Sequence, residues 1–189
     1  MLSRRLFVAG CAGSVLTAPV PGAWAAAVLT DDGLYTQPWF LESFLELADD
    51  LQGATDKGKR LAIMWELRGC PYCKQTHLVN FAKPEIENYI KDRFEILQLN
   101  IVGSREVTDF DGEKLPEKGI AGKYGVRYTP TIQFFPEQPA GLAARKPQDR
   151  EVTRALGYQE PQQFLATFRY VAERGYEKGS LRDYLKNSS

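Results

Sequence analysis

Apolar and polar positions change their period several times along this chain, and each change predicts an element. From Pro38 to Leu51, apolar residues recur at 40, 44, 47 and 51 with 41, 45 and 48 beside them, the stripe of a helix. The turn-forming stretch ATDKGKR ends it. Residues 61–65, LAIMW, are short and continuously apolar, which predicts a strand covered on both faces. Pro71 suits the first turn of a helix running to about Ala82, and Pro84 opens another across PEIENYIKDR. FEILQLNI at 94–101 is a second strand, and the polar residues 102–118 form a loop. EKGIAGKYG is a short helix stopped by Gly125, and TIQFF at 131–135 is a third strand entered through Pro130. A long connection over 137–150 leads to a fourth strand in EVTRALG. Between Pro161 and Gly175, apolar residues at 164, 165, 168, 171 and 172 predict the closing helix, and YEKGSLRDYLKNSS adds a short one. Phe40, Phe44, Phe164 and Phe168 sit at helical spacing and are expected in the core. Residues 28–37 show no period and read as an irregular lead.

Strands alternating with helices, then a hairpin and a last helix, predict an α/β domain with a central mixed sheet flanked by helices and a helical extension at the N-terminal side. No repeat or low-complexity linker divides it. With 43% hydrophobic and 25% charged residues over 189 positions, the composition is that of one globular domain.

The first 27 residues change the picture. They carry Arg4 and Arg5, no acid, a moderately apolar stretch and small residues around AWA at 23–25, the pattern of an export signal. SRRLFVAG resembles the twin-arginine signature, with a Sec route as the alternative. The expected division is therefore 1–27 signal and 28–189 domain, placed in the periplasm. Without its signal the chain has net charge −2 and no basic face, which speaks against nucleic acid. No later segment has the ~20 apolar residues of a membrane span, so no stable membrane insertion is expected.

Removing the signal also removes Cys11 and leaves Cys70 and Cys73, in WELRGCPYCKQTH. Four chemistries use such a pair. A structural zinc site needs four ligands, and two Cys with the single histidine, His77, do not supply them; no metal and no cofactor is expected. Haem attachment needs His directly after the second Cys, where Lys74 stands. A purely structural disulfide would close a tiny loop and contribute least. A redox pair fits best, because a buried strand ends just before Cys70 and a helix begins there. A helix N-terminus favours a thiolate, and Cys73 one turn later can resolve a mixed disulfide. Arg68 could add positive charge. TDFDGEK has part of the pattern of a calcium loop, but the twelfth position from Asp109 is Ile120, so a turn is expected.

With the strand–CPYC–helix order and VRYTPTIQFF in place, the chain resembles a thioredoxin-fold protein. The resemblance implies a cis peptide at Thr129–Pro130, facing the Cys pair and offering substrate its backbone, with Tyr72 beside it in substrate binding. The export signal, WELRGCPYCKQTH, FEILQLNIVGSREVTDFDGEKL and VRYTPTIQFF together resemble the SoxW-type periplasmic thioredoxins of sulfur-oxidation gene clusters, across most of residues 33–172. That likeness implies Cys70 as nucleophile and Cys73 as resolving thiol. It departs from ordinary thioredoxin at Met64, where a buried acid would stand, and at Gly69, where Trp would stand. Proton transfer at Cys73 then needs another group or water. His77 and Glu66 are the candidates, each with a plain alternative: His77 as a partly exposed helix residue, Glu66 as a solvated strand-end charge.

Three functions follow. The first is a reductase of protein disulfides or persulfides in sulfur-compound oxidation, working as a monomer with protein thiol or disulfide substrates and a membrane-bound or periplasmic electron donor. The second is an oxidase or isomerase of secreted-protein disulfides. The third is a copper or zinc carrier using Cys70, Cys73 and His77.

Overall fold

The computed structural model describes residues 27–187. The expected export signal lies, apart from Ala27, outside the described residues. A small hairpin, β1 (Val28–Leu29) with β2 (Tyr35–Thr36), precedes helix α1 (Leu47–Asp56). Strand β3 (Arg60–Glu66) leads into α2 (Pro71–Gln75), which continues as a π-helical turn over Thr76–Asn80. Next come α3 (Pro84–Arg93), β4 (Phe94–Asn100), a hairpin of β5 (Glu106–Thr108) and β6 (Lys114–Pro116), and α4 (Glu117–Lys123). Strands β7 (Thr131–Phe134) and β8 (Thr153–Leu156) and helices α5 (Pro161–Ala172) and α6 (Leu181–Asn187) complete the chain.

The main sheet has the order β4-β3-β7-β8, with β3 parallel to β4 and antiparallel to β7. All seven residues of β3 are buried, as the LAIMW run predicts. Because side chains alternate across a strand, β3 feeds two cores. Leu61, Ile63 and Trp65 pack with Leu47 and Leu51 of α1 and with Ile120. Ala62 and Met64 pack on the other face with Ile86, Phe164 and Phe168. The antiparallel register Trp65↔Thr131 sets the start of β7 beside the end of β3. Two motifs about sixty residues apart in sequence therefore meet at one end of the sheet.

The first helix begins at Leu47, not at Pro38, and the lead before it is a hairpin followed by extended chain. The apolar stripe there is real, but its backbone groups are used elsewhere. Leu41 N–H donates to the Ile96 carbonyl on the open edge of β4, and Thr108 N–H donates to the Leu45 carbonyl. Leu45 itself takes a left-handed φ of 64°, incompatible with a continuing helix. In consequence Phe40 is buried while Phe44, expected in the core, is fully exposed. Phe44→Ser should leave the unfolding free energy from urea titration within about 0.5 kcal/mol of the parent, as for surface positions; a core role would cost several times that.

The segment 102–118 is more than a loop. Val107 and Phe110 are buried, and they fasten the β5–β6 hairpin to the first core. Its Asp109–Glu113 tip is a turn closed by hydrogen bonds between those residues' backbones, with Gly112 at φ 81°. Asp109 is buried and receives the Tyr124 hydroxyl at 2.7 Å and Arg150 Nη1 at 2.7 Å. Arg150 also reaches Asp111 and the Leu142 and Arg145 carbonyls. This buried ion network ties the hairpin to the long connection over 137–150.

Candidate active site

Beyond Glu66 the chain leaves β3 through a turn in which Cys70 N–H donates to the Leu67 carbonyl at 3.1 Å. Gly69 holds φ 75° there, a conformation that disfavours the Trp of ordinary thioredoxins. Cys70 is the N-cap of α2, Pro71 occupies the first turn, and Cys73 N–H donates to Cys70 Sγ at 3.1 Å. The two cysteines are joined as a disulfide. Cys70 is half-buried and Cys73 only 3% exposed, so an incoming thiol or disulfide meets Cys70 first. The backbone hydrogen bond at Cys70 Sγ favours a thiolate at that sulfur after reduction.

Opposite, the Thr129–Pro130 peptide is cis, and the Thr129 carbonyl oxygen lies 3.6 Å from Cys70 Sγ. Tyr72 is exposed and stacks on Tyr158, with ring centroids 6.4 Å apart. Exposed Tyr128 and Leu156 stand close in sequence to the cis bond and to Tyr158. Tyr158 follows Gly157, whose N–H donates to the Pro130 carbonyl. Arg68, offered by the sequence as a positive neighbour, instead donates Nε to the Asp32 carbonyl at 2.7 Å.

Neither plain alternative for Glu66 and His77 holds: both side chains are fully buried. A carboxylate and an imidazole tolerate this because they satisfy one another. Glu66 Oε1 and His77 Nε2 are 2.9 Å apart, Gln98 donates to Glu66 Oε2, and Gln37 Nε2 lies 3.2 Å from His77 Nδ1. Glu66 also lines, with Cys70, Cys73, Tyr35 and Lys74, a cavity of about 350 Å³ beside the disulfide. The Lys74 ammonium sits 5.8 Å from the Tyr35 ring centroid. Gln37, Gln98 and Tyr158 escaped the sequence reading. Gln37 lies in a lead without periodicity, and no local pattern marks the other two. Among the described residues, no group of three or more His, Cys, Asp or Glu side chains is placed to hold a metal ion. The Cys70–Cys73–His77 metal set is therefore not assembled.

A disulfide at the head of a helix, in this sheet and against a cis-proline, defines a thioredoxin-type thiol–disulfide oxidoreductase. The chain belongs to the thioredoxin-like domain family, whose model matches residues 47–172. It is similar to a thioredoxin-fold protein from Helicobacter pylori at 22% identity, over 69% of this chain and 84% of that one, with a TM-score of 0.54. A thioredoxin from Thermus thermophilus also matches at 22% identity and TM-score 0.54, over 71% and 90% of the two chains. At that identity both show the shared fold. No curated protein sequence matches significantly. The family implies thiol or disulfide substrates, and among the described residues no helix is long and apolar enough to cross a membrane.

Proposed function

We propose that this oxidoreductase is exported to the periplasm, loses residues 1–27, and works there as a monomeric reductant of protein disulfides or persulfides in sulfur-compound oxidation. The observation that supports disulfide exchange is the accessible Cys70 sulfur, held at a helix head 3.6 Å from the Thr129 carbonyl. The periplasmic and sulfur-oxidation parts rest on the export signal and on the likeness to SoxW-type proteins.

In the proposed cycle the Cys70 thiolate attacks a substrate disulfide, forms a mixed disulfide and expels one substrate thiolate. Cys73 then gives its proton to Glu66, and its sulfur attacks Cys70 Sγ. That step forms the Cys70–Cys73 bond, breaks the mixed disulfide and releases the second substrate thiolate, which takes up a proton. The protein loses two electrons and the substrate gains them. A membrane-bound or periplasmic dithiol donor restores the pair.

One observation favours the runner-up, an oxidase or isomerase. The Cys73 N–H at Cys70 Sγ stabilises the thiolate, and a well-held thiolate makes the disulfide a stronger oxidant. Redox titration against dithiothreitol separates the two. A potential near about −270 mV, as in thioredoxin, is expected; one near about −120 mV, as in a strong periplasmic oxidant, would sink the reductase reading.

A further inference from the structure

We propose that Gln37, in the lead segment outside the family-matched residues, is a positioning residue of the redox site: with Glu66 it fixes the His77 tautomer, and through that ring it aims the Glu66 carboxylate. The inference rests on Glu66 serving as proton acceptor for Cys73, as proposed above.

Gln37 Nε2 lies 3.3 Å from the His77 carbonyl oxygen as well as 3.2 Å from Nδ1. A carbonyl only accepts, so the amide atom at that place is the NH₂ group and not the oxygen. Its two hydrogens serve the His77 carbonyl and Nδ1. An NH₂ group cannot accept from a ring N–H, so Nδ1 is the bare nitrogen. The proton of the neutral ring then sits on Nε2 and points at Glu66 Oε1, 2.9 Å away. The opposite tautomer would set a nitrogen lone pair against a carboxylate oxygen at that distance and turn the carboxylate away.

Gln98 fixes the other oxygen in the same manner. Its Nε2 donates to the Tyr35 carbonyl and to Glu66 Oε2, so it too is a donor at that place. Both Glu66 oxygens are therefore held, one from β4 and one from the α2 side, and each holding donor is referred to the lead segment, through Tyr35 or Gln37. The lead is itself docked, by Arg68 on the Asp32 carbonyl and by Leu41 N–H on Ile96. The groups facing Glu66 across the cavity are Cys70, Cys73, Lys74 and Tyr35. Those around His77 are Glu66, Tyr35 and the apolar rings of Phe40 and Phe81. Among the described residues no cation is in contact with His77, so the Gln37 donor at Nδ1 and the Glu66 acceptor at Nε2 fix its tautomer together.

His77 is the sole histidine of the chain, so nitrogen-15 NMR of the full protein labelled in histidine reads this one ring. The parent should show a protonated Nε2 and a bare Nδ1, told apart by couplings to the ring protons. Gln37→Glu sets a carboxylate against Nδ1 and should put a proton there as well, giving an imidazolium between two carboxylates. The resolving step, followed as release of a chromogenic thiol from a Cys70 mixed disulfide, should slow roughly tenfold with a displaced pH profile, part of the about 10²–10⁴ that a general base contributes. Gln37→Met, which fits the same space without the donor, should leave the proton on Nε2, where Glu66 still accepts it, and give a smaller loss. A proton on Nδ1 in the parent overturns the assignment. A protonated Nδ1 in the Gln37→Glu protein with an unchanged resolving rate and pH profile overturns the positioning role. Glu66→Gln separates this from the underlying reading: if it too leaves the resolving step unchanged, Glu66 is not the acceptor and both fall.

Discussion

Cys73→Ser is expected to accumulate covalent adducts with its substrates, while Cys70→Ser loses disulfide exchange by at least about 10³-fold, within the range for removing a nucleophile. The difference follows from placement. Cys70 is half-buried at the helix head with Cys73 N–H on its sulfur, whereas Cys73 is 3% exposed beneath it. An external disulfide reaches only the first sulfur. With serine at 73 the mixed disulfide forms and nothing inside the protein resolves it. Non-reducing electrophoresis of the Cys73→Ser protein, purified after alkylation, should show partners that dithiothreitol releases. Adducts formed by Cys70→Ser instead would reverse the roles. In the reduced parent, brief alkylation followed by peptide mass spectrometry should find Cys70 modified first.

The second large effect is expected far from the disulfide. Arg150→Met should destabilise the protein by about 3–5 kcal/mol, because it takes a buried, hydrogen-bonded cation from a buried carboxylate and leaves only Lys123 to pair with it. Arg150 and Asp109 are each almost wholly buried, and Arg150 Nη1 bonds both Asp109 Oδ2 and the Tyr124 hydroxyl. Lys123 also reaches Asp109, Asp111 and Glu113. Urea unfolding with an unchanged slope measures the loss. A shift below about 1 kcal/mol would mean that Lys123 alone satisfies the site.

The same cluster gives stability a pH dependence of known sign. Burial by itself would raise the Asp111 carboxyl, but hydrogen bonds from Arg150 and Lys123 outweigh it and hold that carboxyl well below the usual carboxylate range. A depressed folded value contributes stability above the unfolded value of about 3.9 and loses it as pH falls below that. Lys123 behaves oppositely. Burial would lower its ammonium, while Asp109, Asp111 and Glu113 raise it above the usual lysine range. Its contribution is complete below the unfolded value of about 10.4 and fades as pH rises past it. Unfolding free energy should therefore fall toward both extremes, and Arg150→Met should flatten the acid limb.

Local pattern was enough wherever one face or one short run decides. The continuous LAIMW run is buried on both sides because nothing polar interrupts it, and β3 spans Arg60–Glu66 accordingly. The CPYC pair needed only a strand before it and a proline in the first helical turn to mark a redox site. Thr129–Pro130 became a candidate through the resemblance to thioredoxin-fold proteins, and the Trp65↔Thr131 register brings it to Cys70.

What local pattern could not decide was the fate of groups whose partners are distant in sequence. The stripe at 40, 44, 47 and 51 suits a helix, yet Leu41 bonds the β4 edge and Leu45 bonds β5, where unpaired strand groups compete for the segment's hydrogen bonds. That competition leaves Phe44 in solvent. Glu66 and His77, by their own positions, look like surface charges. Gln98 and Gln37, 32 and 40 residues away, let them be buried together. Burial of a polar group is a property of its completed hydrogen-bond set, and the tertiary structure alone completes it. Local pattern placed the redox pair, the four strands of the main sheet and the helices after β3. The buried acid, its histidine and the glutamine that orients them were decided only when the lead segment closed against β4 and the helix following Cys70.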